Sequence, residues 1–254
     1  MDGGKQMIPA ASVILIRDSD TGLQVFMAIR SRSVDFVPGA WVFPGGKVDA
    51  SDKSEEMFGL CESVELQDEE RAFRISGLRE LFEEAGVLIA KGSRETLSRE
   101  QLSQWRKEVE GDSSLEQILK EGALKLTLDA LTPFSHWITP EGLPKRYNTH
   151  FFLVQMPADQ EAVHDGHELV NSAWFDLNEL LQKAESKDIP MIFPTKMNLY
   201  KLAQAKNCQE AFTLAEQEQI VTIIPKVVQS DEGWCLTIPE NAGYPVTSDV
   251  FEMG

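Results

Sequence analysis

The sequence predicts one α+β domain, layered as an α/β/α sandwich around a mixed β-sheet. Three observations carry that prediction. Short β-rich runs and helical periods succeed one another along 254 residues without the strict strand–helix alternation of an all-parallel sheet. Hydrophobic residues make up 42% of the chain, enough for a large core. No internal repeat, low-complexity tract or linker divides the sequence.

The elements follow in order. Residues 13–17 and 23–29 are β-rich runs on either side of the turn-forming DSDTG, and read as a hairpin. A short strand is expected at 41–43, before Pro44-Gly45-Gly46. Residues 49–70 are polar and acidic with weak periodicity, and read as an inserted surface segment. Helical spacing runs over about 69–89. Ser98 with Gln101 three residues on has capping-box spacing, and 98–121 reads as two short helices broken near Gly111-Asp112. Strands are expected at 134–138 and 147–155. A helix at 176–185 is capped by Asp176, and one at 194–207 has Pro194 in its first turn. Residues 219–228 and 233–238 close the chain as paired strands around SDEG. The domain is expected to run from 8 to 240, with 241–254 as a C-terminal tail.

The formal net charge is −17, from 41 acids and 24 bases. That field repels nucleic acid and anionic membrane, so neither is expected as a partner. It also repels an anionic substrate unless Arg, Lys or a bound cation intervenes locally. Cys61, Cys208 and Cys235 have neither metal-ligand nor redox spacing, and no apolar run is long enough to span a membrane. A cytoplasmic protein is the expectation.

The stretch RELFEEAG, residues 79–86, gathers three acids. On a helix Glu80, Glu83 and Glu84 are i, i+3 and i+4 and share one face. Ile75, Leu78, Leu81, Phe82 and Ala85 fall opposite, on the core side. Two readings stand at this point. An acidic helix face is often merely solvated, and like charges at this spacing cost only a few tenths of a kcal/mol per pair. Alternatively, a rigid helix converges carboxylate oxygens on a hard cation such as Mg²⁺. Pro44-Gly45-Gly46 after a strand lets backbone approach a ligand closely, and Arg79 can hold a carboxylate in a fixed fork.

FPGGKVD followed by RELFEEAGV resembles the signature of the Nudix hydrolases. Arg79, Glu80, Leu81, Glu83, Glu84, Gly86 and Val87 match it position by position. In two respects the chain departs. A long insertion separates Gly46 from Arg79, and Arg71 stands where the compact signature has a glutamate eight residues before the Arg. The split box resembles the branch that hydrolyses coenzyme A and acyl-CoA. IRSRSVDFVPGAWVFPGG is similar to the motif those proteins carry upstream of the box, and HWITPEGLPKRYNTHFF and DGHELVNSAWF also look like that branch.

The resemblance implies a Nudix-type α/β/α sandwich and a diphosphatase that uses Mg²⁺ or Mn²⁺. It implies metal ligation by Glu80, Glu83, Glu84 and the backbone of Gly46. Glu80 is one candidate for the base, and Glu168, on a loop that is mobile in family members, is another. It implies that Arg79 orients the glutamates, and that Arg30, Ser31, Phe43, Gly45 and Arg146 contact substrate. The expected products from CoA are 3′,5′-ADP and 4′-phosphopantetheine. Another nucleoside diphosphate derivative, or a ligand-sensing role without catalysis, stays open, as does the oligomeric state, a homodimer included. His136, His150, His164 and His167 lack a third ligand at useful spacing and read as non-metal residues.

Overall fold

The computed structural model describes residues 7–33, 37–92, 97–111, 113–230 and 233–251. The predicted hairpin is formed by β1 (Ile8–Ser19) and β2 (Gly22–Arg30), and β3 (Trp41–Val42) and β4 (Gly45–Lys47) follow. A single 3-10 turn and the short helix α1 (Glu55–Gly59) lead to the long helix α2 (Asp68–Ala85). Next come β5 (Ala90–Gly92), α3 (Arg99–Glu110), α4 (Leu115–Glu121), β6 (Leu124–Leu126), β7 (Thr132–Ile138) and β8 (Tyr147–Gln155). Then follow β9 (Leu169–Asp176), α5 (Leu177–Glu185), α6 (Phe193–Leu202) and α7 (Cys208–Gln217). The chain closes with β10 (Thr222–Ile223), β11 (Lys226–Ser230), β12 (Gly233–Thr237) and β13 (Ser248–Phe251).

The main sheet runs β10-β7-β8-β1-β2-β3, with β4 also on β1 and β9 also on β2. β1–β8 and β7–β10 are parallel and the other pairs antiparallel, so the sheet is mixed as expected. Alternation along β1 builds two cores at once. Ala11, Val13 and Leu15 face α2, whereas Ile14 and Ile16 face the α5–α7 side. In β8, Phe152 and Val154 join the first core and Phe151 and Leu153 the second. Helices on both faces cover these rows, giving the α/β/α layering. Each fully buried large side chain contributes about 1.5–3 kcal/mol, which is why the central strands read as nearly continuous apolar runs.

Three expectations need correction. Residues 49–70 are not merely a surface insertion: Asp52, Met57 and Cys61 are buried, because Met57 and Cys61 join the first core and Asp52 pairs with Arg79 of α2. Within the expected C-terminal tail, residues 241–251 belong to the fold, since Ala242 and Tyr244 sit in the second core and β13 pairs with β12. The helix expected at 194–207 ends at Leu202, and a separate helix, α7, follows. Ser98 caps α3 through the Gln101 N–H, but the complete capping box is at Ser114 and Gln117. Asp112 in the expected helix break and Asp231 and Glu232 in the expected turn lie outside the described residues.

Candidate active site

The core face of α2 is the one read from the sequence: Ile75, Leu78, Leu81, Phe82 and Ala85 are all buried. The opposite face is not a wet one. Arg79 and Glu84 are 8% and 4% exposed, since β4 and the segment after it cover this side of the helix. Glycine makes that cover possible. A Cβ on Gly46 would stand 2.3 Å from Glu80 Oε1, and one on Gly45 would stand 2.4 Å from the Ala11 carbonyl oxygen. Only a Gly-Gly turn brings backbone down onto the carboxylates. The Gly45 N–H donates to Glu84 Oε2 at 2.7 Å.

Arg79 organises the cluster. Its Nε and Nη2 donate to the two oxygens of Asp52 at 3.0 Å each, and Nη2 also donates to the Lys47 carbonyl at 2.9 Å. Nη1 reaches Glu80 Oε1 at 2.9 Å and Glu83 Oε2 at 3.0 Å. Every guanidinium nitrogen is thus committed to protein acceptors, which makes Arg79 a positioning group. Asp52, fully buried, is the residue that sequence reasoning missed. Its carboxylate is the bidentate partner of Arg79, and it lies six residues after Gly46, on the near side of the insertion. The insertion therefore falls between Asp52 and Arg79, and counting back from Arg79 pointed to the wrong residue. Arg71 instead lies over the Phe58 ring and pairs with the exposed Asp68 at 3.6 Å. The signal that could have found Asp52 is its short distance from Gly46, on the near side of the insertion.

One guanidinium does not balance these acids. Burial, opposed by Arg79 and reinforced by the Glu83 charge, raises Glu80 to about 7. Burial and the Glu80 charge hold Glu84 well above the usual carboxylate range, against the opposing Gly45 N–H and Arg30. Burial raises Glu83 as well. One oxygen of each glutamate takes the hydrogen bonds given above, and the second oxygen takes none from the described residues. Among the described residues no three His, Cys, Asp or Glu side chains are spaced as a metal cage. The donor set is nevertheless all hard oxygen, and excess buried negative charge is what a divalent cation relieves.

Glu168 lies on the other side of a cleft of about 520 Å³, which Glu80, Glu83, Glu84, Glu116 and His167 also line. Its charge adds to the upward push on both Glu80 and Glu84. The loop that carries it is firmly anchored. The Asp165 carboxylate accepts the N–H groups of His167, Glu168 and Leu169 at 2.7–3.0 Å. The Ser31 N–H donates to the Glu168 carbonyl at 2.7 Å, so Ser31 links the loop to the end of β2.

The remaining expected residues divide. Arg30 ends β2 near Glu84, and its buried Nε has no hydrogen-bond partner among the described residues. Phe43, expected at substrate, is a core residue packed edge-on against Phe151. Arg146 donates from Nε to the Thr139 carbonyl and is not among the residues lining the cleft. His136 and His150 stack at 4.2 Å, and His164 bonds Ser172, roles that involve no metal.

Residues 63–204 match the family described as the NUDT19 Nudix domain. The chain belongs to the Nudix hydrolase family. As an enzyme it is a Nudix-type diphosphatase. It is 25% identical over 283 residues to the acyl-coenzyme A diphosphatase NUDT19 of Xenopus laevis, covering 92% of this chain and 74% of that protein. It is 27% identical over 282 residues to the protein of the same name from Homo sapiens, covering 91% and 75%. A crystal structure of a Nudix hydrolase from Alicyclobacillus acidocaldarius superposes with a TM-score of 0.71 at 27% identity, over 83% of this chain and 97% of that one. That likeness extends well beyond the signature helix. No helix of the described residues is long and apolar enough to cross a membrane.

Proposed function

We propose that this Nudix hydrolase cleaves the diphosphate of coenzyme A or acyl-CoA, giving 3′,5′-ADP and 4′-phosphopantetheine or its acyl form. The observation that carries the reading is the carboxylate cluster of buried Glu84 with half-buried Glu80 and Glu83, held by Arg79 and roofed by Gly45-Gly46. Glu80, Glu83, Glu84 and the Gly46 backbone would hold Mg²⁺ or Mn²⁺. When bound, the ion neutralises the diphosphate and acidifies water. The protein's own groups do the rest. Glu80 or Glu168 accepts the proton of the attacking water, both facing the same cleft. Arg79 keeps Glu80 and Glu83 in one geometry, and the Gly45 N–H does so for Glu84.

The CoA part rests on the split box, on the upstream motif and on two relatives named for acyl-CoA hydrolysis. Arg30 suits the extra phosphate of CoA, being a cation with a buried donor that no acceptor among the described residues uses. We read the chain from residue 8 through β13 as one domain acting on a small molecule in the cytoplasm. Its strong acid excess disfavours nucleic acid and anionic membrane as partners.

The test is a product assay on CoA, acyl-CoA, ADP-ribose, NADH and nucleoside triphosphates with Mg²⁺ and with Mn²⁺. The proposal expects the highest kcat/KM on CoA or acyl-CoA, with 3′,5′-ADP as a product. Preference for ADP-ribose or NADH leaves the diphosphatase and removes the CoA assignment.

A further inference from the structure

Arg106 lies in α3, outside the stretches that carry the family signature, and reaches back onto the end of α2. Leu102 and Trp105 are buried and fix α3 in place. The Arg106 Nε donates to the Glu83 carbonyl at 3.1 Å and Nη2 to the Glu84 carbonyl at 2.8 Å. Its Nη1 donates to the Val163 carbonyl at 2.7 Å. One side chain thus grips two segments, the last turn of α2 and the start of the loop that leads to Glu168.

The last four carbonyls of a helix lack partners within it. Here each one finds a partner. Phe82 takes the Gly86 N–H, Glu83 and Glu84 take Arg106, and Ala85 takes the Val163 N–H at 3.0 Å. Val163 is therefore held twice, through its N–H to α2 and through its carbonyl to Arg106. Gly86 leaves room for the guanidinium. It has φ of 72°, and a Cβ there would come within 3.1 Å of Arg106 Nη1. A lysine could not hold three carbonyls in a plane, whereas a guanidinium fork does so without rearrangement. Its charge also offsets the negative end of the helix dipole beside the two acids.

We propose that Arg106 is a positioning residue that sets the Glu83–Glu84 turn against the Glu168 loop across the cleft. This rests on the reading of those carboxylates as the reaction's groups. From Val163 the connection to Glu168 is short, and Asp165 stiffens it by holding three successive N–H groups. Release of Arg106 therefore moves Glu168 relative to Glu83 and Glu84 without touching either side chain.

The experiment measures Arg106→Ala, Arg106→Lys, Glu168→Gln and the Arg106→Ala/Glu168→Gln pair on whichever of CoA and ADP-ribose the wild type hydrolyses, over a Mn²⁺ titration. Arg106→Ala is expected to lose about tenfold to a hundredfold in kcat, the scale of a small misplacement, with KM changed by less than about threefold. It should also need more Mn²⁺ for half-maximal rate, and Arg106→Lys should recover part of both. The paired variant should fall short of the product of the single losses by about fivefold, because the two changes act on one loop. Wild-type kcat and Mn²⁺ requirement in Arg106→Ala, or fully multiplicative losses in the pair, overturn the inference. If Arg106→Ala does not fold, Arg106→Lys takes its place in the cycle, with the same overturning results. An active Glu84→Gln would remove the underlying site reading. An inactive Glu84→Gln beside a wild-type Arg106→Ala removes only the role of Arg106.

Discussion

Replacing Asp52 by Ala tests the arrangement around Arg79 most directly. Asp52 is fully buried, accepts two hydrogen bonds from Arg79 at 3.0 Å and takes the Asp49 N–H at 2.9 Å. Burial by itself would lower the pKa of Arg79, but Asp52, Glu80 and Glu83 hold it above its ordinary value, so the guanidinium stays charged whatever happens to Asp52. The variant leaves Nε without an acceptor, while Nη1 keeps Glu80 and Glu83 and Nη2 keeps the Lys47 carbonyl. Breaking a buried pair costs about 3–5 kcal/mol when the surviving charge is left alone. Glu80, Glu83 and, at 3.7 Å, the exposed Asp49 remain here, so about 2–4 kcal/mol is the better figure. For a chain of this size that lowers Tm by roughly 5–15 °C. The freed guanidinium also turns toward Glu80 and Glu83, and the rate should fall about tenfold to a hundredfold. Asp52→Asn keeps one acceptor and should sit between wild type and Asp52→Ala in Tm. Arg71→Ala is the control. Its ion pair is at the surface, and the change should cost under about 1 kcal/mol with little effect on rate. Thermal melts and hydrolysis rates decide it. If Asp52→Ala melts and turns over as the wild type does, the buried bidentate pair does not hold the site.

Glu84→Gln keeps the shape that meets the Gly45 N–H, so it should fold normally and lose at least about two orders of magnitude in rate. Millimolar Mn²⁺ should raise the Tm of the wild type and not of a Glu80/Glu83/Glu84→Gln triple variant; equal shifts would count against ligation by these acids. Arg30→Ala should cost CoA roughly tenfold to a hundredfold more than ADP-ribose in kcat/KM, the scale of a lost charge-assisted phosphate bond, and equal losses would place Arg30 elsewhere. His150 is lowered from 6.5 to about 4, by burial first and then by His136 beside it, so it is neutral in the fold. Unfolding then takes up a proton below pH 6.5, and stability is lost as pH falls from about 6.5 to about 4 and is fully present above that window. His150→Phe retains a ring against Phe73 and Phe152 and should flatten the Tm–pH curve there; an unchanged slope would show that other groups set it.

The parts of the fold legible in the sequence are those with a strong period. The β1–β2 hairpin, α2, β8 and α5 carry apolar residues at strand or helix spacing and were readable for that reason. β9 was not read because it lies at half-burial, with Leu169 inside and Val170 and Asn171 outside, and shows no clean alternation. α7 was not read because its buried face is made of Cys208, Ala211 and Ala215, side chains too small to mark a stripe. At the site, the glutamates and Arg79 share a few consecutive residues and can be seen in one line of sequence. Asp52 and Arg106 act through partners many positions away, and a linear pattern does not show them. Phe43 was misplaced because proximity in sequence to Gly45-Gly46 says nothing about which face of the sheet a side chain takes.

The placement of charge explains how so acidic a protein handles a polyanion. The carboxylates that face the cleft are not balanced there by basic side chains; Arg79 is spent on protein acceptors and Arg106 on backbone. Both arginines hold the acids in position without cancelling the cleft's demand for cations. On the proposed reading these acids would hold a divalent ion, which would supply the attraction for the diphosphate and make substrate binding conditional on metal. Arg30 is the exception, a cation at the end of β2 with a donor that no described residue uses. On the same reading the diphosphate would be met by the metal, and an additional phosphate beyond it would need a further positive charge. Catalysis would then lie with α2 and discrimination with the end of β2, and mutation would separate the two.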